Sequence, residues 1–133
     1  MTFRFGPAPA RRILWVDDHP QNNRHIVAAL EGRGLHVSYA RTTNLALMLL
    51  ARNAYLAVIS DMGRGDGARE GFHLLDVMRS RGDATPLFFF AGLSAPALSD
   101  EALLHDAQGS TNDAGELLKF IDDLVTTKER EHD

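Results

Sequence analysis

Five short, mostly apolar runs separated by stretches of helical periodicity constrain the fold of this chain more than any other feature. The runs read RILWV (12–16), HVSYA (36–40), LAVIS (56–60), PLFFFA (86–91) and the weaker AQGST (107–111). Between them, apolar residues recur at the three-to-four-residue spacing of amphipathic helices. Apolar strands that alternate with helices are typical of a parallel sheet covered by helices on both sides. We therefore expect an α/β fold with five strands and five helices.

Capping residues predict where each helix begins. Proline suits the first helical position, and serine, threonine and aspartate suit the N-cap. A capping-box pattern precedes the last helix. The predicted helices run from Pro20 to Gly34, from Thr42 or Thr43 to about Asn53, from Gly71 to about Arg81, from Ser99-Asp100-Glu101 onward, and from Asp113 onward. We expect a domain over residues 11–126, a flexible arm over 1–10, and a charged, frayed tail over 127–133.

Composition narrows the classes of function that the chain can have. A length of 133 residues suits one domain, and a net charge of −4 argues against direct nucleic-acid binding. The absence of cysteine excludes disulfides, thiolate metal sites and thiol catalysis. The first residues lack the apolar core of a secretory signal, and the longest apolar stretch, LALMLLA, is too short to span a bilayer. We expect a cytoplasmic domain with no membrane partner.

Carboxylates follow two of the predicted strands. Asp17 and Asp18 come after the first strand, and Asp61 comes after the third. Open parallel sheets bind ligands at the carboxyl ends of their strands, so three carboxylates converge there if these two strands are neighbours. Crowded like charges need an offset, and hard oxygen ligands suit Mg²⁺. The alternative is that one aspartate of the pair merely caps the next helix, although Pro20 assigns that position to His19.

The segments around these carboxylates resemble receiver domains of two-component response regulators. RILWVDDHP resembles the first strand and acidic pair of that family, and AVISDMG resembles its phosphoacceptor strand. GFHLLDVMR resembles the following helix, and TPLFFFAG resembles the fourth strand. The similarity covers about residues 11–126 in the same order. It implies a flavodoxin-like (CheY-like), doubly wound five-stranded parallel sheet with strand order 2-1-3-4-5 and five helices on two faces.

The resemblance also implies a signalling function without enzymatic turnover beyond the chain's own phosphorylation. Asp61 is then the phosphoacceptor, which takes a phosphoryl group from a histidine kinase or a phosphotransfer protein of a phosphorelay. Asp17, Asp18, Asp61 and the backbone carbonyl of Gly63 are then the protein ligands of Mg²⁺. Phosphoryl transfer to a carboxylate depends mainly on positioning and charge neutralisation, which such a site supplies. The phosphorylated domain is expected to switch its interaction with a downstream protein partner.

Two positions depart from the pattern of that family. Receivers usually carry threonine or serine at the end of the fourth strand, and this position falls on Ala91, thirty residues after Asp61. Ser94 is the nearest hydroxyl. Receivers also carry a lysine at the end of the fifth strand, whereas the segment QGSTNDAG contains none; Ser110, Thr111 or Asn112 lies in its place. These departures put the usual route from phosphate to conformational change in doubt.

The loop after Asp61 is longer than the family pattern. Gly71 lies ten residues after the phosphoacceptor, and the extra length brings in Arg64 and Arg69. Arginine binds phosphate bidentately, so one of them is a candidate for the missing positive charge. The alternative is that both are solvated loop residues. The candidate phosphate contacts are Arg64, Ser94, Thr111 and Asn112.

Two other functions compete with the phosphorylated receiver. An atypical receiver that acts as a phosphorylation-independent interaction module is consistent with the missing hydroxyl and lysine. A phosphohydrolase of the haloacid dehalogenase type also uses a strand-terminal aspartate. That family needs a second aspartate two residues later, where this chain has Gly63.

Overall fold

The computed structural model describes residues 11–63, 67, 69–90 and 95–131, which form a five-stranded sheet and five α-helices. The strands are β1 (Arg12–Val16), β2 (His36–Ala40), β3 (Ala57–Ser60), β4 (Leu87–Phe90) and β5 (Gly109–Thr111). The helices are α1 (Arg24–Gly32), α2 (Thr43–Arg52), α3 (Glu70–Ser80), α4 (Ala95–Leu104) and α5 (Ala114–Glu131). All strand pairs are parallel, and the order is β2-β1-β3-β4-β5. This topology confirms the predicted flavodoxin-like sheet.

Alternate side chains of β1, β2, β3 and β4 enter two separate hydrophobic clusters, as the two-residue period of a strand requires. One cluster joins Ile13 and Trp15 of β1 to α1 and α5. The other joins Leu14 of β1 to residues of α2, α3 and α4. In β4, Phe88 stacks on a ring of α5, while Phe89 makes an edge contact with a ring of α3. The sheet is therefore buried on both faces, and the predicted core positions of Trp15 and of these phenylalanines are confirmed.

The structure confirms two of the predicted helix starts and refines a third. The Thr42 hydroxyl accepts a hydrogen bond from the backbone N–H of Leu45 at 3.1 Å and so caps α2. The Asp113 carboxylate caps α5 by accepting from the N–H of Gly115 at 2.9 Å. The first helix begins with a 3₁₀ turn over Pro20–Asn23 before α1, and His19 at its N-cap makes no side-chain capping bond.

The fourth helix begins earlier than predicted. It starts at Ala95, so Ser99, Asp100 and Glu101 lie inside it and do not form its first turn. Its second residue is Pro96, and proline fits the first turn because the N–H groups there have no partner within the helix. The weak capping pattern at Ser99 therefore misplaced the start.

The last helix continues through residues that were predicted to be frayed. It extends to Glu131, with Lys128 and Arg130 in its last turn, where positive charge interacts favourably with the helix dipole. Arg11 Nη2 lies 3.4 Å from Glu129 Oε1 and ties this end to the start of β1. Residues 128–131 are thus helical, the fraying of this tail stays a prediction, and the arm at 1–10 lies outside the described residues.

Arg79 braces the edge of the sheet that is formed by the amino ends of the strands. Its Nη1 donates to the carbonyl oxygens of Asp83 and Thr85 at 2.8 and 3.0 Å. Its Nε and Nη2 donate to the carbonyl of Asp106 at 3.2 and 2.9 Å, and Nη2 also reaches Gln108 Oε1 at 3.3 Å. One guanidinium thus joins the loop before β4 to the loop before β5.

In the described part of the chain, every helix is too short or too polar to cross a bilayer.

Candidate functional site

The register of the sheet places Asp17 and Asp61 side by side. Val16 of β1 pairs with Ser60 of β3, and each aspartate is the next residue along its strand. The N–H of Asp61 donates to the carbonyl of Val16 at 3.0 Å, which extends the ladder by one position. Neighbouring strands lie about 4.8 Å apart, so both side chains leave the sheet at the same edge. The predicted convergence of these two strand ends is confirmed.

Asp17 is held by three hydrogen-bond donors. It is only 9% exposed. Its Oδ1 accepts from the backbone N–H of His19 at 2.8 Å, and its Oδ2 accepts from Trp15 Nε1 at 3.3 Å and Asn23 Nδ2 at 3.2 Å. A buried carboxylate needs such donors to offset its loss of water. Asn23 is not among the predicted site residues, and its only signal in the sequence is an amide six residues after the aspartate.

Asp18 lies beside Asp17 and contacts His19. The distance from Asp18 Oδ1 to His19 Nδ1 is 3.0 Å, and Arg41 Nη1 donates to the carbonyl of Asp18 at 3.4 Å. Within the described residues, Asp17, Asp18 and His19 offer ligand atoms that all lie within 4.8 Å of one another, a group that can hold a metal ion. Asp61 is at the same edge but is not a member of this group. Histidine therefore joins the acidic pair as a candidate ligand.

The donor set fits the ion that the sequence predicted. Asp17 and Asp18 offer carboxylate oxygens close to one another, and Asp61 follows the neighbouring strand at the same edge of the sheet. Mg²⁺ prefers oxygen ligands and keeps several of its waters, so a site that is open to solvent on one side suits it.

Helix α3 passes directly over the main chain of Asp61. The N–H of Gly71 donates to the carbonyl of Met62 at 2.7 Å. A Cβ atom at residue 71 would lie 2.5 Å from the carbonyl oxygen of Asp61 and 2.8 Å from Phe89 Cε1. Only glycine fits this contact without displacing a neighbour, so Gly71 fixes the position of the candidate phosphoacceptor's backbone.

An ionic and aromatic cluster ties the start of α3 to α4. The Arg69 guanidinium forms an ion pair with both carboxylate oxygens of Glu101 and lies over the ring of Phe72, 4.8 Å from its centre. The hydrogen bond from Arg69 holds the pKa of Glu101 below its ordinary value. His105 stacks on the ring of Phe72 as well, with ring centroids 4.4 Å apart. Its Nδ1 lies 2.8 Å from Asp76 Oδ1. The reading of Arg69 as a merely solvated loop residue is therefore wrong.

Strand β5 ends in Ser110 and Thr111, followed by Asn112, in the region where the resembling family carries a lysine. Thr111 is 4% exposed, and its hydroxyl accepts from the N–H of Asp113 at 3.0 Å, while Asn112 is exposed. The two lysines of the chain, Lys119 and Lys128, both lie in α5. The other predicted phosphate contacts, Arg64 and Ser94, lie outside the described residues, as does Ala91.

No protein-family model matches this chain, and no curated protein does either. Solved structures are similar in fold. The receiver domain of the Francisella response regulator 1452 is 21% identical with a TM-score of 0.77, and the similarity covers 89% of this chain and 98% of that one. A CheY-like response regulator receiver domain protein from Methanospirillum hungatei JF-1 is 22% identical with a TM-score of 0.75, covering 91% and 98%. The beryllofluoride-activated NtrC4 receiver domain, a dimer in solution, is 19% identical with a TM-score of 0.75, covering 88% and 98%. This chain therefore has the fold of response regulator receiver domains.

Proposed function

We propose that this chain is a signalling receiver whose Asp61 accepts a phosphoryl group from a phosphohistidine. The donor is a histidine kinase or a phosphotransfer protein in the cytoplasm, and the product changes the affinity for a downstream protein partner. The observation that carries the proposal is the register that sets Asp61 beside Asp17, with Asp18 next to it, at the carboxyl edge of the sheet. The similarity in fold to receiver domains over most of the chain supports it.

The chemistry is a nucleophilic displacement at phosphorus. A carboxylate oxygen of Asp61 forms a bond to phosphorus while the bond from phosphorus to the donor imidazole nitrogen breaks. The electron pair of that bond stays on the nitrogen, and the product on the chain is a mixed anhydride. Mg²⁺ held by the three aspartates and the Gly63 carbonyl would neutralise charge on the phosphoryl oxygens.

The chain's own contribution to this reaction is positioning. Three donors hold Asp17 in one orientation at the edge of the sheet. The close packing of Gly71 holds the main chain of Asp61, so the nucleophile enters the reaction already placed. Correct placement of reacting groups is a large part of the catalytic effect in transfers of this kind.

A second function keeps the fold but not the phosphorylation. In a phosphorylation-independent interaction module, the acidic edge (Asp17, Asp18 and Asp61, which follow β1 and β3) binds metal alone or has no ligand, and a partner binds the helical surface. The threonine at the end of β5, whose hydroxyl already accepts from the turn to α5, favours this alternative because it supplies no cation for a phosphoryl oxygen.

Intact-mass measurement after incubation with Mg²⁺ and acetyl phosphate distinguishes the two functions. We expect a gain of one phosphoryl group in the wild type and none in Asp61→Asn. Asp18→Asn is expected to slow the gain. Asp123→Asn makes the same chemical change on the exposed side of α5 and is the matched control.

A phosphoryl gain that persists in Asp61→Asn contradicts the assigned nucleophile. The absence of any gain in the wild type, together with a Trp15 fluorescence response to Mg²⁺, supports the interaction module. Trp15 is a suitable reporter because its indole nitrogen contacts Asp17 and it is the only tryptophan of the chain.

A further inference from the structure

We propose that Arg69 senses the phosphoryl group on Asp61 by exchanging its partner, Glu101, for a phosphoryl oxygen, and thereby loosens α4. This inference rests on the proposed function. In this inference Arg69 supplies the positive charge that contacts the phosphoryl group, because the segment at the fifth strand contains no lysine to do so.

Arg69 stands at the boundary between the acidic edge and α4. It is the N-cap residue of α3, and its carbonyl accepts from the N–H groups of Phe72 and His73 in the first turn. Its side chain is 60% exposed and crosses to Glu101, which is 35% exposed and lies in the middle of α4. The start of α3 is thus tied to α4 through one solvent-accessible guanidinium.

The start of α3, where Arg69 stands, also lies against the main chain of Asp61. Gly71 packs against the Asp61 carbonyl so tightly that a Cβ atom would lie 2.5 Å from it. Arg69 is two residues before Gly71, so their Cα atoms are at most about 7.6 Å apart, because consecutive Cα atoms are about 3.8 Å apart. The proposed exchange requires the Arg69 side chain, which leaves the chain at the N-cap of α3, to swing from Glu101 to the Asp61 carboxylate.

Electrostatics favour the phosphoryl group over the carboxylate. Exposed ion pairs such as Arg69–Glu101 contribute little to stability because water screens both charges. A phosphoryl group carries about −1.5 to −2 charges and three acceptor oxygens. Arginine binds two of these oxygens in parallel, so the phosphoryl group is the stronger partner.

The exchange would loosen α4 without detaching it. After Arg69 leaves, α4 remains attached through His105, which stacks on Phe72 and contacts Asp76. Helix α4 ends in Leu103 and Leu104, which are 60% and 87% exposed. A change in its mobility therefore changes how an apolar surface is presented to a partner.

Beryllofluoride with Mg²⁺ mimics the phosphoryl group on an aspartate and provides the test. Its affinity is measured by fluorine NMR, and the mobility of α4 by hydrogen exchange of its amides. The variants are Arg69→Ala and Glu101→Gln. The control is Arg81→Ala, which removes an exposed arginine at the other end of the same helix.

We expect Arg69→Ala and Glu101→Gln, which remove the two partners of one ion pair, to change the affinity for beryllofluoride in opposite directions. Arg69→Ala weakens beryllofluoride binding at least about tenfold, because two parallel charge-assisted hydrogen bonds are lost. Glu101→Gln strengthens binding because it removes the competing carboxylate. Both variants speed the hydrogen exchange of α4 amides before the ligand is added. In neither variant does beryllofluoride speed this exchange further. In the wild type and in the control, exchange of α4 speeds up only when the ligand binds.

Two results separate failure of this inference from failure of the proposed function. If the wild type binds beryllofluoride and Arg69→Ala binds it equally well, or if both variants shift the affinity in the same direction, Arg69 is not the sensor. If a folded wild type binds no beryllofluoride, the proposed function fails and this inference fails with it.

Discussion

Replacing Gly71 by alanine is expected to destabilise the chain, although alanine is the better helix former. The new methyl carbon would lie 2.5 Å from the Asp61 carbonyl oxygen, 2.8 Å from Phe89 Cε1 and 3.1 Å from Met62 Cα. Two of these three atoms belong to the main chain and cannot turn away. Overpacking of this kind costs about 1–3 kcal/mol, against a helix-propensity gain of at most about 1 kcal/mol. We expect a net loss of about 1–2 kcal/mol in the free energy of unfolding.

Gly32 provides a matched control for this substitution. It is the last residue of α1, and a Cβ atom there meets nothing within 4 Å. Gly32→Ala is expected to stabilise the chain by about 0.5–1 kcal/mol, the ordinary helical difference between the two residues. The same chemical change therefore has opposite signs at two helical glycines.

Urea denaturation followed by the fluorescence of Trp15 measures both effects. A difference of about 2 kcal/mol between the variants separates their midpoints by roughly 1 M urea. Because the clash involves the Asp61 carbonyl, Gly71→Ala is also expected to slow phosphorylation by acetyl phosphate, whereas Gly32→Ala is not. A Gly71→Ala variant as stable as the wild type would refute the close packing of α3 on Asp61.

Two further predictions concern charged groups. Arg79→Met is expected to lower the free energy of unfolding by about 2 kcal/mol, because it removes a guanidinium that donates to three main-chain carbonyls. Arg79→Lys is expected to recover only part of this loss in the same urea assay, because lysine lacks the planar guanidinium that reaches several acceptors at once. Full recovery by lysine would contradict that role of the guanidinium. The hydrogen bond from Arg69 lowers the pKa of Glu101, so the contribution of this pair is complete above the ordinary value of 4.5 and is lost as the pH falls through the lowered pKa. Hydrogen exchange of α4, corrected for the intrinsic pH dependence, should therefore rise in acid in the wild type and show no such step in Glu101→Gln; a step that persists in that variant would assign it to another group.

The strand ends could be predicted from the sequence because they depend on local pattern and one general rule. Apolar runs that stop at Asp17 and at Asp61 mark two ends, and parallel pairing brings such ends to one edge. The resemblance to receivers supplied the strand order, which periodicity alone does not determine. The sequence alone therefore predicts that Asp17 and Asp61 lie at one edge of the sheet.

Side-chain contacts between distant elements could not be predicted in the same way. Arg69 and Glu101 are 32 residues apart and lie on different helices, so no local pattern pairs them. The hydrogen bond from Asn23 to Asp17 depends on how the turn after β1 folds back toward the strand end, and no local sequence pattern indicates this. The predicted start of α4 at Ser99 is wrong because a serine followed by two acidic residues also occurs inside a helix, and Pro96 lies in the true first turn.

The division of the core into two clusters has a consequence for how this domain can connect two partners. Trp15 and Asp17 lie on the side of α1 and α5, whereas Gly71 and Phe72 lie on the side of α3 and α4. The sheet separates these sides, and the aspartates that follow β1 and β3 lie at its carboxyl edge, between them. We expect a protein docked against one side to influence a protein docked against the other through that edge, so that the carboxylates act as the junction of two otherwise independent surfaces.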